Sequence, residues 1–220
     1  MTPAVEARDL YRFYHAGDDE TLALRGVSLM VAPGEIVAVT GPSGSGKSTL
    51  MACLAGLDEP DGGVVHIAGE RISRRPEATR ASMRARSIGV LYQSFNLVGH
   101  LSVDANVALA RRLAGSAPDP ARRSALLERM GIGRRAAARP AELSGGELAR
   151  AGLAVALAND PAVLLADEPT GELDEATASE ILGLLCERAE AGGAVVVATH
   201  DEAVASAAAR ELRLRDGSAA

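Results

Sequence analysis

The run Gly41-Pro42-Ser43-Gly44-Ser45-Gly46-Lys47-Ser48-Thr49 spaces glycines, a lysine and hydroxyls as a loop that holds a polyphosphate requires. Such a ligand needs converging donors, a counter-charge and a metal. Gly41, Gly44 and Gly46 supply backbone that curls tightly with its N–H groups turned inward. Lys47 brings a compact cation to the β- and γ-phosphates, and Ser48 offers its hydroxyl to Mg²⁺. Among 23 Lys and Arg residues Lys47 is the only lysine, kept where a slim ammonium fits a ring of backbone amides and a planar guanidinium does not. The run is expected to hold a nucleoside triphosphate.

Further polar groups stand where apolar runs stop: Gln93, Asp167-Glu168 and His200. Asp167 is a hard oxygen ligand suited to Mg²⁺, directly or through water. Glu168 beside it suits a general base that polarises the attacking water. Gln93 can orient that water or touch the metal, and His200 can donate to the γ-phosphate or its leaving oxygens. Ser144-Gly145-Gly146-Glu147 forms a helix capping box. Its two glycines also leave backbone N–H groups uncovered at a positive helix end, where an anion is welcome.

These side chains meet only if the runs they end are neighbouring parallel strands, whose carboxyl ends form one crevice. Residues 35–40, 87–92, 162–166 and 194–199 are short and apolar without alternation, as strands buried on both faces are. A helix is expected at 50–57 and another at 176–190. Between 94 and 159 only helical segments occur, at 103–113, 121–130 and 147–158, which reads as a helical lobe inserted between strands. Residues 5–14 and 22–31 form an antiparallel opening, with a further strand at 64–68 and a basic, solvated helix at 73–86. By strand alternation Tyr11 and Phe13 share a face and Tyr14 takes the other; Tyr14 either stacks on a base or packs as a core tyrosine. The expected fold class is α/β, one domain over 1–220, with a core lobe of 1–93 and 158–220 and an inserted lobe of 94–157.

A chain of 220 residues with net charge −6 and pI ≈ 5.3 carries no electrostatic footprint for DNA or RNA. Neither a secretory leader nor an apolar run approaching the roughly 18 residues of a membrane span is visible, so a cytoplasmic protein is expected. Cys53 and Cys186 have no partner at metal spacing and read as buried free thiols.

Taken in order, Gly41 to Thr49, Gln93, Leu143-Ser144-Gly145-Gly146-Glu147, the segment 163–169, Gly171-Glu172-Leu173-Asp174 and Thr199-His200-Asp201 resemble the motif set of an ABC transporter ATP-binding subunit. The resemblance covers essentially the whole chain. It implies a P-loop NTPase with a RecA-like parallel sheet, an N-terminal antiparallel β part and an inserted α-helical subdomain. It also implies ATP and Mg²⁺ as ligands. Two ATP molecules would be sandwiched in a head-to-tail homodimer between one subunit's P-loop and the other's Ser144-Gly145-Gly146. Asp174 would cross that interface and Tyr14 would stack on adenine. Tyr92-Gln93-Ser94-Phe95-Asn96-Leu97 is similar to the group serving lipoprotein release, macrolide or peptide export, and cell division. Such subunits lie at the inner membrane face on an integral-membrane permease, separately encoded or fused. The chain departs from the family pattern at Leu148, Ala149 and Val155 in the signature helix, at Ala105, and at Glu172. The alternative implied by the same group is a nucleotide-gated signalling subunit that moves no substrate; an ABC protein acting on DNA or ribosomes lacks its usual basic patches here.

Overall fold

A computed structural model describes residues 2–16, 19–92 and 97–220. The chain opens as a long hairpin of β1 (Val5–Ala16) and β2 (Asp19–Val31), with Val5 opposite Val31 and Tyr14 opposite Thr21. Bulges at Leu10/Tyr11 and Arg12/Phe13 interrupt the simple alternation expected of the aromatics. β3 (Ile36–Thr40) leads through the glycine-rich loop into α1 (Lys47–Leu54). β4 (Gly62–Ile67) returns to pair with β1, and β5 (Glu70–Arg71) completes an antiparallel sheet ordered β2-β1-β4-β5. After α2 (Glu77–Ser87) and β6 (Ile88–Leu91) come helices α3 (Val103–Leu113), α4 (Pro120–Arg129) and α5 (Gly145–Ala156). The last part alternates: β7 (Val163–Asp167), α6 (Glu175–Glu190), β8 (Ala194–Ala198), α7 (Glu202–Ala207), then the hairpin β9 (Arg210–Arg215) and β10 (Ser218–Ala219).

The second sheet runs β10-β9-β3-β8-β7-β6, and all its neighbours are parallel except β10 with β9. Its central strands are covered twice. Val37, Val39, Val163, Leu165, Ala194 and Val196 share a core with α1 and the antiparallel sheet. Leu164, Ala166, Val195 and Val197 point the other way, into a core built with α3, α4, α5 and α6. Alternate residues thus enter different cores, which explains runs that do not alternate in polarity. The architecture is α/β with an N-terminal antiparallel part and a helical subdomain inserted between β6 and β7. Among the described residues no helix is long and apolar enough to cross a membrane.

Three expectations are refined. The basic helix starts at Glu77 behind Pro76; Arg80 and Arg84 are tied down, while Arg86 stays exposed as expected of a solvated face. Arg80 pairs with Glu59 at 2.9 Å and with Glu77 at 2.8 Å, while Arg84 donates to the Gly56 carbonyl at 2.7 Å. The C-terminal α7, β9 and β10 had no counterpart in the sequence reading. Cys53 is buried, and burial pushes its thiol pKa up to about 12, whereas Cys186 is only half-buried.

The helical insertion seats on the sheet at Gly89, where a Cβ would lie 2.4 Å from the Ala156 carbonyl oxygen at the end of α5 and 3.0 Å from Pro161 Cγ. Overpacking of this kind costs about 1–3 kcal/mol. Gly89→Ala is expected to lower the unfolding free energy by that amount, read as a lower urea midpoint at an unchanged slope; an unshifted midpoint would show that α5 is free to move off the strand.

Candidate nucleotide site

The loop from Gly41 to Gly46 lies between the end of β3 and the start of α1. Gly46 has φ 103°, and no side chain caps α1. The first amides of the helix are therefore open to an outside acceptor. Lys47 Nζ donates to the carbonyls of Gly41 at 2.8 Å and Pro42 at 3.3 Å, which holds the ammonium at the mouth of the loop. Gly41, Pro42, Ser43, Gly44, Gly46, Lys47, Ser48 and Thr49 line one cavity of about 880 Å³. Ser45 is the exception. It is 2% exposed with an unpartnered Oγ, and it serves as the loop's floor rather than its lining.

Asp167, Glu168 and His200 line the same cavity. Parallel pairing of β3, β8 and β7 brings these ends together, with Thr199 N donating to the Val39 carbonyl at 3.0 Å and Glu168 N to the Ala198 carbonyl at 2.9 Å. The Ser48 side chain favours the ionised form of Asp167, whose Oδ1 is buried without a hydrogen-bond partner. Glu168 adopts φ 48°, a left-handed conformation that costs a side chain about 1–3 kcal/mol. That turn takes the chain off β7 and sets Glu168 Oε1 2.9 Å from His200 Nδ1. His200 is otherwise open, 72% exposed. Gln93 lies outside the described residues.

Tyr14 also lines the cavity, 40% exposed, and it is not a core residue. Its hydroxyl donates to Asp58 Oδ2 at 2.6 Å, and the Arg12 guanidinium lies 4.7 Å from its ring centroid. Arg12 in turn donates to Asp58 at 2.8 Å and to Asp61 at 3.0 Å. Burial opposes ionisation of Asp58, but the bonds from Arg12 and Tyr14 outweigh it and hold its carboxyl below the usual range. Burial, then Asp58, push the Tyr14 phenol up. The turn after α1 thus fixes the ring on β1.

The sequence reading missed the C-terminal hairpin, whose Asp216 and Gly217 complete the cavity wall. Gly217 N donates to the Ser45 carbonyl at 3.1 Å, and Gly217 O accepts from Arg25 N at 2.7 Å. A Cβ on Gly41 would fall 2.2 Å from the Leu214 carbonyl oxygen, so β9 reaches the loop only because residue 41 is glycine. Asp-Gly between two short strands is a hairpin signal and was legible.

Ser144, Gly145, Gly146 and Asp174 do not line this cavity. They form a second cluster. Ser144 Oγ accepts from Glu147 N at 3.3 Å, and Glu147 Oε2 accepts from Ser144 N at 2.8 Å, the expected capping box. Asp174 caps α6, accepting from Thr177 N at 3.0 Å and Thr177 Oγ1 at 2.7 Å. A Cβ on Gly146 would meet Thr177 Cγ2 at 2.7 Å, so the two helix starts abut.

A glycine loop between a buried strand and a helix, with acidic and imidazole groups at adjacent strand ends, defines a P-loop nucleotide-binding domain. The ABC transporter family model matches residues 24–171. An uncharacterized ABC transporter ATP-binding protein of Thermotoga maritima is 44% identical over 219 residues, 99% of this chain and 94% of the relative. The macrolide export ATP-binding/permease protein MacB of Hyphomonas neptunium is 42% identical over 217 residues, 98% of this chain. The chain spans only 34% of that relative. Among solved structures, the dimeric post-hydrolysis state of the ATP-binding cassette MJ0796 bound to ADP and Pi has a TM-score of 0.91 at 34% identity, covering 98% of this chain and 96% of that one. The chain belongs to the ABC transporter family, as its ATP-binding domain.

Burial raises the Asp167 pKa, as does the Glu168 charge, against the opposing pull of Ser48 and Lys47. A carboxyl raised in the fold makes its ionisation a cost to the native state. That cost is fully present above the folded pKa and absent below the ordinary aspartate value. Asp167→Asn is therefore expected to raise the thermal midpoint of nucleotide-free protein at neutral pH, with the gain shrinking as pH falls into the aspartate range. A gain that is independent of pH would place its origin elsewhere.

Proposed function

We propose that the chain binds and hydrolyses ATP, and that ATP-dependent closure of a homodimer drives an integral-membrane permease carried on a separate chain at the inner face of the cell membrane. The observation that carries this reading is the convergence of Lys47, Ser48, Asp167, Glu168 and His200 on the cavity that Tyr14 also lines. Lys47 and the loop amides take the β- and γ-phosphates. Ser48 and Asp167 fit Mg²⁺, because a hydroxyl and a carboxylate are hard donors and Asp167 Oδ1 is buried with no other partner. Mg²⁺ held by these two residues would supply charge neutralisation to the triphosphate.

Glu168 is the general base for the attacking water, and Gln93 has the role of orienting that water or touching the metal. His200 holds Glu168 through Nδ1. That contact leaves Nε2 of the same ring for the γ-phosphate. Ser144, Gly145, Gly146 and Asp174 act on the ATP of the other copy. Their separation from the cavity supports this, as does the absence among the described residues of any hydrogen bond from the Gly145 and Gly146 amides. The permease contact falls on the inserted lobe near residues 95–113, where Leu113 is 69% exposed. Tyr14 stacks on adenine, held by Asp58 and Arg12.

Glu168→Gln is expected to keep ATP binding and to reduce turnover by roughly 10²–10⁴. Wild-type hydrolysis should rise more than linearly with protein concentration and increase with permease in lipid. Near-normal turnover in the variant would remove Glu168 from this role. Asp58→Ala should weaken ATP binding by roughly three- to tenfold, the scale of one aromatic contact, while leaving tripolyphosphate affinity unchanged. Equal loss for both ligands would mean that Asp58 supports the phosphate loop and not the ring.

A further inference from the structure

We propose that a second anion site lies at the opposite end of the parallel sheet from the nucleotide cavity, in a cleft of about 290 Å³ that takes a phosphate-type group between Arg111, Arg122 and Arg129. The chain as a whole is acidic, at net charge −6. This cleft nonetheless gathers Arg111, Arg122, Arg123, Arg129 and Arg188 against one lining carboxylate, Asp160. Asp160 and Pro161 lead into β7, whose far end carries Asp167. The rise of a strand, roughly 3.3 Å per residue, puts Asp160 and Asp167 about 20 Å apart.

Structural duties account for part of the cluster. Arg123 is neutralised by Asp104 through two bonds, at 2.8 and 3.0 Å, with the charge of Asp119 also near. Arg188 pairs with Asp160 at 2.7 Å and donates to the Pro161 carbonyl. Arg111 donates from Nη1 to the Ala158 carbonyl at 3.0 Å. Arg111, Arg129 and Arg188 also stand in the last turns of α3, α4 and α6, where a cation is favoured.

Three features are left over. Arg111 Nε is buried without a partner, and Arg111 has no carboxylate to offset its charge among the described residues. Arg122 and Arg129 likewise have no ion pair among the described residues. They lie seven positions apart, on one face of α4, with the small Ala125 between them giving room. Arg122 is in the first turn of that helix, whose amide end Asp119 already caps by accepting from Arg122 N at 2.9 Å, so the pull on an anion comes from the guanidinium groups. Guanidinium forks match the oxygens of a phosphate monoester in pairs, and the cleft leaves space for the group that bears it. That group is either a free small molecule or a lipid headgroup. The proposal does not depend on how the nucleotide site works.

The test uses Lys47→Ala protein, so that the phosphate loop does not compete, in two arms. One is calorimetric titration with inorganic pyrophosphate, and the other is co-sedimentation with phosphatidylcholine vesicles with and without phosphatidic acid. Saturable binding is expected in at least one arm, weakening with added salt and falling about tenfold or more in the Arg122→Glu/Arg129→Glu double variant. Both residues are exposed, so the fold should survive, which circular dichroism checks. Pyrophosphate binding identifies a free ligand, and binding to phosphatidic acid vesicles alone identifies a headgroup. No saturable binding in either arm, or binding that the double variant leaves unchanged, overturns the proposal.

Discussion

Burial of the central strands on both faces is the constraint from which the rest follows. β3, β7 and β8 have no side on which a polar side chain is tolerated, since one residue enters the core under the antiparallel sheet and the next enters the core under the helices. Polar chemistry is thereby confined to their ends. Parallel pairing then places those ends in one row, so that the loop after β3, the acidic pair after β7 and the imidazole after β8 come together. The site is a by-product of a sheet that leaves its functional groups no other place.

The parts of this arrangement that were legible in the sequence are those where an abrupt change of polarity marks the boundary. Val163 to Ala166 are apolar and Asp167 is not; the break itself announces a strand end. What was illegible depends on contacts distant in the chain. Arg12 and Asp58 are separated by 46 positions, and nothing local to either says that they meet over Tyr14. β9 reads Arg-Glu-Leu-Arg-Leu-Arg, with only Leu214 buried, so its charged positions hid a strand that floors the phosphate loop. Ser45 matched the motif by type, yet its side chain faces inward, because a spacing pattern does not distinguish a hydroxyl that lines a cavity from one that supports it.

Strain and frustration concentrate at the same few residues. Glu168 holds a left-handed backbone, Asp167 keeps a buried oxygen without a partner, and Lys47 rests on backbone carbonyls. The first two are local costs sustained by well-packed strands beside them, and the third holds a cation in place, the pattern expected where a fold sets groups aside for a ligand. By contrast the capping box at Ser144 and the side-chain cap at Asp174 are locally satisfied, which keeps those helix starts rigid as surfaces.

The arginine bias of the chain has a chemical corollary. Lys47 carries the only lysine amine of the sequence, and that amine lies at the mouth of the phosphate loop. Acylating reagents and lysine-directed enzymes therefore have a single side-chain address on this protein. Lysine modification and occupancy of the loop compete for one nitrogen, so covalent labelling becomes a direct gauge of ligand at that position.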